Sequence, residues 1–219
     1  MLGGITTSGI HYEIIKNICS EGQIAELEKS KVYNPRLEAS ARALKDYCGV
    51  DEPNSGYLVS IMAIRKLAKV LNVDLRYNFK RFPPSTHALA INTNGEKYIV
   101  VDVNLDEQTK RFKICHELAH FILDHRQLAL NDAYDSKTPF KNFRKYLKYE
   151  YEANYLAAAI LMDERKLKKI IYDNNKSGHK FGHRDSILRI AEEFDVSYET
   201  AAHRYCTKPP PVFLDTNFR

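Results

Sequence analysis

Apolar positions change period several times along the chain, and each change marks an element. In "NPRLEASARALKDYCG", Asn34 suits a helix N-cap, Pro35 the first helical position and Gly49 a C-terminal stop, so a helix is expected between them. The punctuated "DEPNSG" at 51–56 reads as a boundary loop. "SIMAIRKLAKVLNVDLRY" then spaces Ile61, Ile64, Leu67, Ala68 and Leu71 as one face of a helix. The period shortens in "ALAINTNGEKYIVVDV", residues 88–103, where two β-rich runs flank Asn94-Gly95 and predict a hairpin. Asn104 with Glu107 fits a capping box, so a helix is expected to start there. A mixed loop over 126–140 leads to a helical segment from about 141 to 171. "RDSILRIAEEFDVSYETAAHRY" (184–205) reads as two helices with a turn at Asp195 to Ser197. Prolines at 209–211 exclude helix from the tail.

Composition narrows the class without naming a function. A chain of 219 residues, 44% hydrophobic and 28% charged, is long enough to bury a real core and ordinary for a globular protein. No apolar run is long enough to span a bilayer, and the first residues lack the pattern of a secretory signal. Cys19, Cys48, Cys115 and Cys206 are scattered, with no CxxC pair, which suits reduced thiols and a cytoplasmic location. The net charge of +5 is modest and spread out, so charge alone does not argue for nucleic-acid binding. No Ser/His/Asp triad, phosphate loop or dinucleotide fingerprint is apparent.

The chemistry concentrates in "KICHELAHFILDH", residues 113–125. Positions four apart share a helical face, so His116 and His120 can offer ring nitrogens to one ion. Glu117 sits beside them, placed to take a proton from the water that attacks a peptide and pass it to the leaving amine. The alternative is an apolar stripe of Phe112, Cys115, Ala119, Ile122 and Leu123 with histidines on its margin. A catalytic zinc needs a third protein ligand. His125 is more than a turn beyond His120 and off its face, so that ligand is sought elsewhere. "KYEYEANYLAAAILM" (148–162) offers Glu150, with Asn154 on the same face as a hydrogen-bond partner for a ligand histidine. Glu152 is the rival, rotated to another face. Ala157, Ala158 and Ala159 would let this helix approach the first closely.

With both stretches in view, "RFKICHELAHFILDH" and "EYEANYLAAAILM" resemble the ImmA/IrrE family of HExxH, gluzincin-like metallo-endopeptidases. The flanking "IRKLAKVLNVDLRY", "ALAIN" and "ILRIAEEFDVSYETAAHRY" resemble it more weakly, and the likeness covers roughly 57–206. It implies an α+β zincin-like fold, mostly helical, with a small sheet or hairpin before the HExxH helix. It implies zinc on His116, His120 and Glu150, with Glu117 as catalytic base. It also implies a protein substrate, a helix-turn-helix repressor whose cleavage relieves repression. A non-cleaving regulatory binding protein that keeps the fold is the alternative. The expected organisation is a helical segment at 1–52, a peptidase domain at 53–180 and a helix-turn-helix-like subdomain with the tail at 181–219. Ala119 stands where the family commonly has glycine, and Asp163 where it often has proline.

Other features are weighed beside this reading. The helix pair at 184–206 carries Arg204, but Glu192, Glu193, Asp195 and Glu199 would repel phosphates, so packing or substrate docking is favoured over DNA reading. His179, His183, His203, Tyr146, Tyr149 and Tyr155 are all candidates to steady an oxyanion. "ERKLKK" (164–169) reads as a solvated face. The hairpin either covers the core or offers its edge to an extended substrate.

Overall fold

The computed structural model describes residues 34–48, 59–78, 87–93, 95–125, 139–176 and 183–206. Residues 1–33, Gly49, the linker at 51–56, Asn94, the loop at 126–138, His179 and the tail from 207 lie outside them. In chain order the described elements are α1 (Pro35–Cys48), α2 (Ile61–Val70), β1 (Asp74–Asn78), β2 (Ala88–Thr93), β3 (Glu96–Asp102), α3 (Glu107–Ile122), α4 (Pro139–Leu161), α5 (Glu164–Lys176), α6 (His183–Phe194) and α7 (Tyr198–Cys206). The arrangement is α+β and zincin-like, mostly helical with one small sheet. No helix among the described residues is long and apolar enough to cross a membrane.

The sheet has the order β1-β3-β2, with β2 antiparallel and β1 parallel to the central β3. Side chains alternate across it with a period of two. Ala88, Ala90, Ile99 and Val101 are buried on one face, and Leu75 and Tyr77 of β1 pair in register with Ile99 and Val101. That face packs on α3. Gly95 supplies the positive φ (82°) that a two-residue hairpin loop requires. The parallel strand β1 departs from the sequence reading, which ran "DLRY" into a helix. Helix α2 stops because Asn72 turns left-handed (φ 54°). The N–H groups of Asn72 and Val73 then cap the carbonyls of Lys69 and Ala68, and the chain leaves extended.

Helix α3 lies between sheet and helices. Ile114, Cys115, Leu118 and Ala119 are all fully buried, so its apolar surface is wider than the expected stripe. Its cap is Asp106, whose Oδ1 accepts from Thr109 N–H at 2.8 Å. The expected capping box is therefore corrected: Asn104 donates from its backbone N–H to Asp102 Oδ1, and Glu107 pairs with Lys110 at the exposed surface. Helix α4 packs along α3 and is buried from Tyr155 to Leu161, a stretch that holds the three alanines at 157–159.

The helical segment expected to run on to 171 breaks at Asp163. Its Oδ1 accepts from the N–H groups of Arg165 and Lys166 and starts α5 as an N-cap. Asp163 Oδ2 pairs with the buried Lys45 Nζ at 3.0 Å. "ERKLKK" is not simply solvated, because Glu164 and Leu167 are buried. Helices α1 and α7 both pack on α4. Arg204, fully buried, pairs with Glu38 and donates to the Met162 carbonyl, so its charge is turned inward.

Candidate metal centre

Helix α3 presents His116 and His120 toward α4, and α4 returns Glu150 to the same point. His116 Nε2 and His120 Nε2 stand 3.1 Å apart. Glu150 Oε2 is 3.4 Å from the first and Oε1 is 3.5 Å from the second. Two ligands on tetrahedral corners about 2.05 Å from a zinc ion would lie roughly 3.3 Å apart. The three separations fit that spacing, and two imidazoles with one carboxylate are a donor set that suits zinc. Among the described residues these three form the group of titratable side chains able to hold an ion.

The outer ring nitrogens are occupied. His116 Nδ1 donates to Asn154 Oδ1 at 2.8 Å, as the shared face of Glu150 and Asn154 predicts. His120 Nδ1 lies 3.1 Å from His125 Nδ1. A tautomer with both Nδ1 atoms protonated would turn both Nε2 lone pairs into the cluster, as a bound metal requires. Glu152, the rival ligand, instead faces His125 Nε2 at 3.2 Å.

Electrostatics separates the members. Burial works against charge on His116, yet the adjacent Glu150 and Glu117 raise its pKa above the ordinary value. Burial and the neighbouring His116 hold His120 down to about 4, so its ring stays neutral. Burial raises Glu117, assisted by the Glu150 carboxylate, against the opposing pull of His116, the Ala90 N–H and Lys113. Glu117 Oε2 accepts from the Ala90 N–H of edge strand β2 at 2.8 Å, which places the carboxylate between the histidines and the sheet.

An IrrE N-terminal-like domain, the Peptidase_M78 family, matches residues 71–205, more than half of the sequence. The chain belongs to this family. A Mycobacterium tuberculosis transcriptional regulator shares the fold of this Peptidase_M78 chain, with a TM-score of 0.54 at 18% identity. That match covers 82% of this chain and 49% of the other, so the chain spans about half the length of that solved relative. No curated protein matches the sequence.

Around the M78 centre, the oxyanion candidates now divide. Tyr155 is fully buried and donates to Glu38, and Tyr149 stacks on His125. Burial raises the Tyr146 phenol, with Glu150 and Glu117 adding to the rise, so it keeps its proton. The side chain of His183 lies outside the described set, and His203 lies near Tyr151. Sequence reading passed over Lys113. Burial lowers its pKa, while the charges of Glu117 and Glu150 oppose the fall. Its position four residues before Glu117 was the signal available.

Proposed function

We propose that this M78-family chain is a zinc-dependent endopeptidase that hydrolyses a peptide bond in a protein partner, a helix-turn-helix transcriptional repressor, in the cytoplasm. The observation that carries the proposal is the convergence of His116 Nε2, His120 Nε2 and the Glu150 carboxylate at ligand spacing, with the Glu117 carboxylate beside them. When bound, zinc supplies Lewis acidity toward the scissile carbonyl and the attacking water.

The chain's own groups do the rest. An extended substrate segment laid along the β2 edge brings a carbonyl past Glu117, because Ala90 directs its N–H there. Substrate displaces that contact and frees Oε2. The raised pKa of Glu117 makes it a better base than an exposed glutamate, able to accept the water's proton and deliver it to the departing amine nitrogen. Tyr146 keeps its phenolic proton and donates to the developing oxyanion. Residues 53–180 carry this chemistry, while α7, in the 181–219 segment, braces α4 through Arg204.

The test is co-expression with the product of the neighbouring gene, following a discrete fragment. Glu117→Gln is expected to keep its zinc and lose about 10²–10⁴-fold in cleavage. Retained proteolysis removes Glu117 from the role of base. Binding of the partner with no fragment from the wild type would favour the non-cleaving regulator.

A further inference from the structure

Three helices of this chain end with the same device. Asn72, Asp124 and Asp195 have φ of 54°, 50° and 48°. In each case the next N–H reaches back to cap a carbonyl: Val73 to Ala68, His125 to His120 and Val196 to Ala191. The residue after the left-handed turn is a buried valine in two cases, where it closes the helix end hydrophobically. In the third it is a histidine. Helical geometry carried past Ile122 would put His125 off the face of His120. The turn at Asp124 instead folds it back, so that the two Nδ1 atoms meet at 3.1 Å.

His125 is held from two further sides. Its ring stacks on Tyr149 at a 4.2 Å centroid distance and 13° between planes. Its Nε2 faces Glu152 Oε2 at 3.2 Å, while the other Glu152 oxygen approaches Lys148 at 3.7 Å. The side chain of His125 is only 4% exposed, so water does not compete freely for these atoms. One proton arrangement satisfies the two ring nitrogens of His125 and leaves His120 able to bind a metal. Glu152 accepts from His125 Nε2–H, His125 Nδ1 accepts from His120 Nδ1–H, and His120 Nε2 is left as a bare lone pair.

We propose that His125 and Glu152 are positioning residues for the metal centre, a carboxylate–imidazole relay that fixes the tautomer and ring orientation of His120 and so sets affinity for zinc. The proposal rests on the zinc reading above. His116 has a single amide partner, Asn154, in the corresponding place. The two ligand histidines are therefore supported unequally, and His120 carries the partner chain that ends in a carboxylate. Outer partners of this kind typically change metal affinity by about 10–100-fold.

The test measures zinc affinity by chelator competition on the full chain, together with ring ¹⁵N chemical shifts of His120 in the metal-free protein. His125→Phe keeps the stack on Tyr149 and removes both ring nitrogens. Glu152→Gln keeps size and removes the charge. We expect about 10–100-fold weaker zinc binding in His125→Phe, a smaller loss in Glu152→Gln, and no further loss in the double variant. Partial rescue is expected from His125→Asn, whose Oδ1 can still accept from His120. His120 should carry its proton on Nδ1 in the wild type and lose that preference in His125→Phe. Zinc binding within twofold of wild type in His125→Phe overturns the relay. A wild type that binds no zinc overturns the preceding reading instead, and the ¹⁵N shifts still decide the relay. Glu152→Gln decides the matter if His125→Phe does not fold.

Discussion

Helix α4 carries two buried polar clusters, and they differ in how their charges balance. Toward α1 and α7, Tyr155 donates to Glu38, Arg204 pairs with the same carboxylate, and Lys45 pairs with Asp163. Each charge there meets its opposite inside the protein. Toward α3, two imidazole nitrogens face one another at 3.1 Å with the Glu150 and Glu117 carboxylates close by. Those nitrogens and the Glu150 carboxylate converge at ligand spacing. A cluster that closes on itself ties elements together, whereas one whose donors converge calls for a cation from outside.

The sharpest way to break this contrast is to delete one charge on each side. Arg204→Ala leaves Glu38 buried and unpaired, and should lower unfolding free energy by about 3–5 kcal/mol in urea titrations. Glu150→Ala removes a carboxylate from a crowded site and should change metal-free stability by at most about 1 kcal/mol. Equal losses in the two variants would show that both clusters are structural. Zinc supplies the next largest effect. At a hundredfold excess over its dissociation constant it should stabilise the wild type by about 2.7 kcal/mol, reversibly with chelator, and leave Glu150→Ala nearly unmoved. A gain undiminished in that variant would remove Glu150 from the ligand set.

The same contrast explains what could be read from the sequence. The candidate site was legible because its residues are local: His116, Glu117 and His120 lie within five residues, and Glu150 with Asn154 within another five. The structural cluster was not, because Glu38, Tyr155 and Arg204 lie more than a hundred residues apart in part and carry no spacing rule. Helix α1, the hairpin and the α6–α7 turn followed from caps and period. Strand β1 did not, because Asn72 ends α2 within an apolar spacing that still looks helical. The break at Asp163 was hidden in the same way. His125 was set aside as a ligand by helical geometry, and the Asp124 turn gave it a place behind His120 instead.

Lys45 and Asp163 offer a pH test on the structural side alone. Burial favours protonation of Asp163, yet the Lys45 ammonium and the backbone N–H of Lys166 hold its carboxyl down to about 2. An ordinary aspartate lies near about 3.9. The folded value is the lower one, so this pair contributes in full above about pH 4, and the contribution is lost as pH falls toward 2. The amount is roughly 2 kcal/mol. Urea midpoints between pH 5 and 2 should fall less steeply in Asp163→Asn than in the wild type. Parallel curves would mean that the pair does not govern the acid limb.

The smallest effect lies at the end of α3, where the two kinds of stabilisation can be separated in one residue. Asp124 holds a left-handed backbone that glycine adopts without steric cost, and it is exposed. Asp124→Gly should therefore raise stability by about 0.5–1 kcal/mol or leave it level, because relief of backbone strain is offset by greater freedom in the unfolded chain. Zinc affinity should not move, since His125 keeps its place behind His120. Asp124→Val is a β-branched residue in the same conformation and should destabilise the turn. If that turn orients His125, the valine variant should also weaken zinc binding, by less than His125→Phe does. A valine variant that loses stability but binds zinc as tightly as wild type would detach the turn from the metal centre, leaving Tyr149 and Glu152 to hold the ring by themselves.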